Sequence, residues 1–325
     1  MILEALERVL DDQGDSAVIR KIEAGGTAGA LWTTIEQGGF LDVLLPEDLG
    51  GAALPLPELF PILECLGRHG VAVPIAQSIV ARALIGGQAP VPAGMTTIAN
   101  RLQRTANGDL VCVRTPFGSV ADHVLTHDGT ALLLMPCATA QRTSVGDPRN
   151  STATLSWRNV TPVLSLAGSE QTLIAFTAAM TAALLSGAMQ RTFDMALNYC
   201  NTRVQFGKSI GKFQALQQQL SVMAEHVLAG AIAAECAFRC EGPAPDLLAS
   251  AIAKSRTSEA ASLIAATAHA VHGAIGMTDE YDLGLLTRRL HDWRMSYGAE
   301  DHWNQIIGQQ ILNCDAALVD QVCHV

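Results

Sequence analysis

Two long helical patterns meet at a short polar segment, and this junction constrains the fold more than any other part of the chain. The first pattern predicts a helix over about residues 173–203, and the second predicts one over about residues 212–240. The segment at the junction reads Arg203-Val204-Gln205-Phe206-Gly207-Lys208. Because glycine readily takes the left-handed conformation that terminates helices, Gly207 is predicted to end the first helix. The two helices are expected to fold back on each other as a hairpin.

The side chains at this junction suit an anionic ligand that contains rings. The guanidinium of Arg203 offers donors in a rigid fork that matches phosphate oxygens, and Phe206 supplies an aromatic face beside it. The spacing also fits a simpler interpretation, in which the junction is a well-capped hairpin that carries a surface arginine. Both interpretations stay open on the spacing alone.

The remaining C-terminal sequence predicts further helices of the same assembly. The second helix carries an apolar stripe at helical spacing, formed by Leu216, Leu220, Met223 and Val227. It is expected to end before residues 242–245, after which Asp246 can cap a third helix that runs to about His272. A fourth helix is predicted from about Leu283 and a last one from about Asp301. Four or five antiparallel helices with short connections indicate a bundle.

Residues 1–88 are also helical in pattern, whereas residues 89–165 show short β patterns. Strands are predicted at residues 110–114, 124–126, 131–135 and 152–157, and Asp128-Gly129 is a hairpin signal between two of them. The pattern predicts a mainly α protein with a small central β-barrel or sandwich. The expected domains are a helical domain (1–88), a β domain (89–165) and a helical bundle (166–325).

Composition and charge limit the function. The formal net charge of −10 argues against nucleic acid as a partner, because proteins that bind phosphate backbones carry a basic footprint. The longest apolar run, residues 173–189, is short for a membrane span and is predicted to be a buried core helix. Eight scattered cysteines without a C-x-x-C motif or a signal peptide indicate reduced thiols in a cytoplasmic protein. No metal site is expected, since no His or Cys pair has further ligands nearby.

Four segments resemble the acyl-CoA dehydrogenase family. The most specific is the run Arg-x-x-Phe-Gly-x-x-Ile-x-x-Phe-Gln over residues 203–214, which resembles a signature of the family's C-terminal domain. The N-terminal segments Leu-Pro-Glu-x-x-Gly-Gly (45–51) and Leu-Glu-x-Leu-Gly (63–67) resemble its first domain. His272-Gly273-Ala274-Ile275-Gly276 resembles a Gln-x-x-Gly-Gly-x-Gly corner, with Ala270 at the Gln position and Ala274 at the middle Gly.

The resemblance implies a fold, a cofactor and a reaction. The fold would comprise an N-terminal helical domain, a middle β-barrel and a C-terminal four-helix bundle. The reaction would be α,β-dehydrogenation of an acyl-CoA thioester in fatty acid or lipid catabolism, with FAD as hydride acceptor. In the family, the two C-terminal corners reach the FAD of a neighbouring subunit. The implied cofactor-binding residues are Arg203, Gln205, Phe206, Gly207, Ile210, Phe213, Gln214, Gln217, Gly273, Ala274 and Gly276.

The chain departs from the family at the flavin ring and at the catalytic base. The family holds the ring with a Thr-Glu-Pro-x-x-Gly-Ser-Asp segment, whose nearest counterpart here, residues 114–119, lacks the acidic residues. The base is a Glu after the fourth helix, and Gly298 holds that position in this chain. A second family location for the base falls at about Thr177-Ala178, where neither side chain can abstract a proton. Glu300, two residues beyond Gly298, is the candidate for a relocated base.

Three hypotheses follow from this combination. The chain is expected to be the second subunit of a heteromeric acyl-CoA dehydrogenase, completing an FAD site on a homologous partner that holds the flavin ring and the base. The alternatives are a homomeric enzyme, as a dimer or tetramer, with Glu300 as base, and a flavin-free scaffold.

Overall fold

The computed structural model describes residues 1–240 and 242–313, which form N-terminal helices, two β-sheets and a C-terminal bundle. The mainly α fold class with a central β portion is confirmed. The N-terminal helices are α1 (Ile2–Gln13), α2 (Ser16–Glu23), α3 (Gly29–Gln37), α4 (Leu56–His69) and α5 (Ile75–Ile85). The sequence pattern does not single out α2, which is short, or α5, which is buried on most sides and so shows no amphipathic stripe.

Eight strands form two four-stranded sheets between the helical parts. Sheet order is β1-β4-β5-β8 in one and β2-β3-β7-β6 in the other, with β1 parallel to β4 and the other pairs antiparallel. The strands are β1 (Thr96–Ile98), β2 (Gln103–Arg104), β3 (Leu110–Thr115), β4 (His123–His127), β5 (Leu132–Pro136), β6 (Gln141–Ser144), β7 (Ala153–Trp157) and β8 (Leu164–Leu166).

The four predicted strands correspond to β3, β4, β5 and β7. The four strands that the sequence pattern missed are only two to four residues long, which is too short for a period of two to be visible. The predicted hairpin joins β4 to β5. There the carboxylate of Asp128 accepts hydrogen bonds from the backbone N–H groups of Thr130 and Ala131, and Gly129 has a φ of 101°.

Five helices make up the C-terminal bundle, and a small hairpin separates the first two. The helices are α6 (Glu170–Thr202), α7 (Gln214–Cys236), α8 (Leu247–His272), α9 (Leu283–Met295) and α10 (Glu300–Leu312), and the hairpin strands are β9 (Val204–Gln205) and β10 (Lys208–Ser209). Asp246 caps α8, as predicted, by accepting from the backbone N–H of Ala249. The second helix ends four residues before the predicted position, because the chain turns there to bury Phe238 against Phe60.

Helix α6 is the central element of the core, and α4 crosses it at backbone contact. A Cβ atom at Gly187 would lie 1.9 Å from the carbonyl oxygen of Glu64, and one at Gly67 would lie 2.2 Å from that of Leu184. Glycine on both helices therefore sets how closely they approach. Side chains from the N-terminal helices and from the bundle consequently share one apolar core.

A buried charge cluster ties the same two parts to the sheets. Arg289 on α9 is 1% exposed and lies 2.9 Å from Glu23 Oε1 at the end of α2. Its guanidinium also donates to the carbonyl oxygen of Gly70 and to the side chain of Asn150, between β6 and β7. Arg288 pairs with the other oxygen of Glu23 at 2.6 Å. One carboxylate thus fixes two arginines where all three parts of the fold meet.

Two helices, α6 and the region of α8, are long and apolar enough to cross a membrane by length and composition. In α6, 89% of the most apolar window is buried inside the protein. The predicted interpretation of residues 173–189 as a core helix agrees with this burial.

We expect Gly187→Ala to lower the free energy of unfolding by about 2 kcal/mol or more, because the added methyl group must push the two helix backbones apart. Chemical denaturation followed by circular dichroism measures the change. Gly308→Ala on α10 is the matched control, since nothing lies within 4 Å of a Cβ atom there. The control should be neutral or stabilising, as alanine is the better helix former. Equal stability of Gly187→Ala and the wild type would contradict the proposed contact.

Candidate cofactor-binding site

The junction between α6 and α7 is a β-hairpin that projects from the bundle. Helix α6 ends at Thr202, and Arg203 is already extended, with a ψ of 120°. Phe206 and Gly207 form the tip, with φ values of 53° and 78°, which is the pattern of a tight turn between paired strands. Gly207 is left-handed as predicted, but it does not end α6. The prediction was wrong on this point, because the chain makes one strand pair before it turns.

The hairpin presents an aromatic and cationic surface. Phe206 is 90% exposed and meets Phe213 edge-on, with ring centroids 6.1 Å apart, and Lys208 Nζ lies 4.2 Å from the centre of the Phe213 ring. Arg203 is exposed and belongs to none of the ion pairs formed among residues 1–240 and 242–313. The hairpin thus carries an exposed ring and an arginine without an ion-pair partner among the described residues, in a protein with a net charge of −10.

The other predicted residues of this segment surround the same hairpin. Gln205 and Gln214 are exposed, while the backbone N–H of Ile210 donates to the carbonyl oxygen of Arg203 and closes the base of the hairpin. Gln217 Nε2 donates to the carbonyl oxygen of Gly211 at 3.0 Å, which anchors the first turn of α7 to the preceding loop. Ile210 and Gln217 therefore have structural contacts within the chain, whereas Gln205 and Gln214 point to solvent.

The glycine-rich corner follows α8 directly. Gly273 has a φ of 61° and a ψ of −139°, and its N–H donates to the carbonyl oxygen of His269, so this donor is already used. Ala274 is exposed. Gly276 is buried, and a Cβ atom there would lie 2.9 Å from Cβ of His272 and 3.0 Å from Leu283 Cδ2. Close packing against His272 and Leu283 therefore explains why residue 276 is glycine. Gly273 and Ala274 lie at the surface, and nothing lies within 4 Å of a Cβ atom at Gly273.

The two corners lie at the same end of the bundle. Tyr199, one helical turn before Arg203, packs its ring on His272, the last residue of α8, with centroids 4.6 Å apart. The backbone N–H of Arg203 donates to the carbonyl oxygen of Tyr199. The arginine corner and the glycine corner are thus joined through two side chains, an arrangement that spacing in the sequence does not reveal.

The base position is occupied differently from the family pattern. Gly298 has a φ of 108°, and a Cβ atom there would lie 2.5 Å from Cδ2 of His302. The imidazole of His302 thus fills the space into which a side chain at position 298 would project. The carbonyl oxygen of Gly298 accepts from Lys254 Nζ and from Trp303 Nε1, both at 3.0 Å.

Lys254 on α8 is a buried lysine that binds the loop between α9 and α10, which contains Gly298. It is 0% exposed, and its ammonium group donates to Ser258 Oγ and to the carbonyl oxygens of Arg294 and Gly298, at 2.8, 2.9 and 3.0 Å. Burial lowers the pKa of Lys254 to about 7, partly opposed by the negative charge of Glu300. The sequence pattern does not single out Lys254, because one lysine within a helix gives no signal of burial.

Glu300, the candidate for a relocated base, and Thr177, at the second family location, both have hydrogen-bond partners. The carboxylate of Glu300 accepts two hydrogen bonds from the guanidinium of Arg294, and these bonds lower its pKa. A general base works best with a pKa near the operating pH, so this change is in the wrong direction. Thr177 is buried and its hydroxyl donates to Asn100 Oδ1 at 2.8 Å.

The segment nearest to the flavin-ring motif serves packing. Arg114 and Phe117 have φ values of 50° and 55°, and Phe117 is only 4% exposed. The carbonyl oxygen of Pro116 accepts from the hydroxyl of Thr97 on β1 at 2.5 Å. Residues 114–119 thus form an inward-packed turn between β3 and β4, and they contain no acidic side chain.

A cysteine, a histidine and an aspartate lie together elsewhere without forming a nucleophile. His69 lies 3.8 Å from the sulfur of Cys65 and 3.0 Å from Asp11 Oδ1, but its Nδ1 is bonded to the backbone oxygen of Cys65. Burial raises the pKa of the Cys65 thiol to about 12, and those of Cys112 and Cys137 likewise. The six described cysteines are free thiols, and Cys314 and Cys323 lie outside the described residues. In that part of the chain, no group of His, Cys, Asp or Glu could hold a metal ion.

We expect Gly298→Glu to fail as a restored base and to lower the free energy of unfolding by about 2 kcal/mol, because it adds backbone strain and a clash with His302. Denaturation curves measure the loss. The double variant Gly298→Glu with His302→Gly should recover part of it, since the clash is removed and the strain remains. Unchanged stability of the single variant would contradict this account of the loop.

Lys254 should make stability depend on pH. Its pKa is about 7 when folded and about 10.4 in an unfolded chain, so between these values the unfolded state binds the extra proton and stability rises with pH. Below pH 7 both states are protonated and the full cost of burying the charge is present. Relative to Lys254→Met, the wild type should gain up to about 1.4 kcal/mol per pH unit above pH 7. If the free energy of unfolding changed with pH equally in the wild type and in Lys254→Met, the lowered pKa of Lys254 would be contradicted.

Comparison with known proteins agrees with this architecture. Residues 169–312 match the family model described as "Acyl-CoA dehydrogenase, C-terminal domain". Among curated proteins, the chain is similar to acyl-CoA dehydrogenase IpdE2 of Mycobacterium tuberculosis, with 31% identity over 298 residues that cover 90% of each chain.

Solved structures show the same fold. The ChsE4-ChsE5 complex from Mycobacterium tuberculosis has a TM-score of 0.84 at 21% identity, with 97% of both chains covered. PigA, solved with FAD and proline, has a TM-score of 0.80 at 17% identity, with 95% of this chain and 96% of that chain covered. With a curated relative 31% identical over nine-tenths of its length, the chain belongs to the acyl-CoA dehydrogenase family.

Proposed function

We propose that this chain is the partner subunit of a heteromeric, FAD-dependent acyl-CoA dehydrogenase. It would complete a dinucleotide site whose flavin ring and catalytic base belong to a homologous subunit. The reaction is α,β-dehydrogenation of an acyl-CoA thioester, an oxidoreductase step of lipid catabolism that we place in the cytoplasm. Bound FAD supplies the two-electron acceptor for the hydride that leaves Cβ.

The observation that carries the proposal is the contrast between the two ends of the candidate site. At the hairpin, Arg203 is exposed without an ion-pair partner among the described residues, and Phe206 is 90% exposed. A guanidinium fork and a free ring suit the pyrophosphate and adenine of FAD. At the other end, the position of the base is Gly298, and His302 fills the space in front of it. The residues present thus fit the adenosine diphosphate half of the cofactor and not the flavin half.

The proton balance then requires a second subunit. Dehydrogenation removes a proton from Cα and a hydride from Cβ, and the proton needs a positioned base within hydrogen-bond reach. Thr177 cannot act as that base, and Glu300 is held by Arg294. A carboxylate of the homologous subunit would accept the proton. The ChsE4-ChsE5 neighbour is a complex of two different proteins, which agrees with a heteromeric assembly.

The alternative assemblies are less compatible with the contacts. A homomeric enzyme would need Glu300 to leave Arg294, although their hydrogen bonds stabilise the ionised carboxylate and lower its pKa. A flavin-free scaffold would leave the exposed cation and ring of the hairpin without a ligand. The scaffold would also leave unused the two corners that Tyr199 and His272 bring together.

Co-expression with a homologous subunit that carries intact ring and base motifs tests the proposal. We expect a stable complex with one FAD for every two chains, measured by flavin absorbance against protein concentration. Arg203→Ala should lower FAD affinity by about tenfold or more, because a charge-assisted contact to phosphate is lost. The matched control is Arg158→Ala, at an 84% exposed arginine that directly follows β7, and this variant should bind FAD as the wild type does.

Two results would overturn the heteromer. If the chain purified alone with stoichiometric FAD that an acyl-CoA bleaches, it would be a complete enzyme, and Glu300→Gln would then test the relocated base. If neither the chain nor its complexes held FAD, the scaffold would be the correct description.

A further inference from the structure

We propose that His272 is a positioning residue that sets the distance between the two cofactor corners. The inference rests on the proposed function, since it concerns the same dinucleotide site. His272 is 3% exposed and lies between two aromatic rings, with Tyr199 at 4.6 Å on one side and Tyr281 at 5.0 Å on the other, measured between ring centroids. It is too deeply buried to touch a ligand itself, so any effect on binding passes through its neighbours.

The hydrogen bonds of His272 determine its tautomer. Its Nδ1 lies 2.7 Å from the carbonyl oxygen of Ala268, which can only accept, so Nδ1 carries the proton. The Nε2 atom of the neutral ring is then an acceptor, and the hydroxyl of Tyr281 donates to it at 3.2 Å. Burial lowers the pKa of His272, which favours this neutral form. Both ring nitrogens are therefore satisfied in one orientation.

These contacts connect the two corners through one ring. On one side, Tyr199 precedes Arg203 by a single turn, and its carbonyl oxygen accepts the backbone N–H of Arg203. On the other side, Gly273 follows His272 directly, and Tyr281 closes the segment that begins at Gly273. A rotation of the imidazole would move the glycine corner relative to the arginine.

Alanine at position 270 makes ligand binding more dependent on how His272 places the glycine corner. Position 270 is alanine, so the chain has no glutamine side chain there to contact a dinucleotide. Ligand binding at the glycine corner must then depend on close approach of the backbone at Gly273 and Ala274. Such an approach tolerates little displacement, because van der Waals and hydrogen-bond contacts weaken within about an ångström.

The experiment compares two variants, each of which lacks one hydroxyl oxygen, on opposite sides of the His272 imidazole. Tyr281→Phe removes the hydroxyl that bonds to His272, whereas Tyr199→Phe removes a hydroxyl with no hydrogen-bond partner among the described residues and keeps the ring contact. Isothermal titration of the full-length chain with ADP measures the half-site directly. We expect Tyr281→Phe to weaken ADP binding by about three- to tenfold, as expected for one hydrogen bond, and Tyr199→Phe to bind as the wild type does.

A second readout separates positioning from a general loss of structure. In the complex with the homologous subunit, Tyr281→Phe should raise the FAD concentration needed for half-saturation and leave kcat at saturating FAD unchanged. Because Tyr281→Phe leaves Nε2 of the buried His272 without a partner, its melting temperature without ligand should lie a few degrees below that of Tyr199→Phe. A Tyr281→Phe variant whose kcat at saturating FAD also falls would show a merely structural role and would overturn the inference.

The outcomes for Arg203→Ala distinguish this inference from the proposed function. If Arg203→Ala abolishes ADP binding and Tyr281→Phe binds ADP as the wild type does, the positioning role is wrong and the proposed function stands. If the wild type does not bind ADP, or if Arg203→Ala has no effect, the dinucleotide site itself is refuted and the inference falls with it.

Discussion

The close crossing of α4 and α6 is the contact on which the rest of the structure depends. Gly67 and Gly187 allow the two backbones to touch, and the N-terminal helices and the bundle thereby share one apolar core. With α6 fixed in this way, its two ends are fixed as well. Thr177 near its start meets the loop after β1, and Tyr199 near its end meets His272. Roughly 38 Å of rigid helix separates Thr177 from the hairpin.

The two ends of the candidate site differ in the residues that they present. The hairpin carries an exposed ring and an arginine that has no ion-pair partner among the described residues, and it is joined to the glycine corner through Tyr199 and His272. At the opposite position, Gly298 is held by Lys254 and Trp303, and His302 occupies the vacated space. A side chain at position 298 would therefore have to displace this imidazole. The contrast between the two ends of the site supports the proposal that this chain is a partner subunit.

Sequence patterns predicted the elements that carry strong periodicity or strong punctuation. The stripe on α7, the Asp246 cap of α8 and the Asp128-Gly129 hairpin all appear, because each depends on residues close together in the chain. The short strands were missed because two to four residues are too few to show a period of two, and α5 was missed because it is buried on most sides and shows no amphipathic stripe. The position of Gly207 was misjudged for a related reason: the strand pair that moves it to a hairpin tip has only two residues a side.

The sequence alone indicated the family, the order of the helical, β and helical parts, and a glycine at position 298, because these depend on residue identity and spacing. Only the tertiary structure decided how the remaining residues act together. It placed the imidazole of His302 in front of Gly298, buried the ammonium of Lys254 beneath the loop, and joined two corners 70 residues apart, from Arg203 to Gly273, through Tyr199 and His272. These contacts arise between helices that are distant along the chain, and packing geometry, unlike propensity, is not encoded in any local pattern.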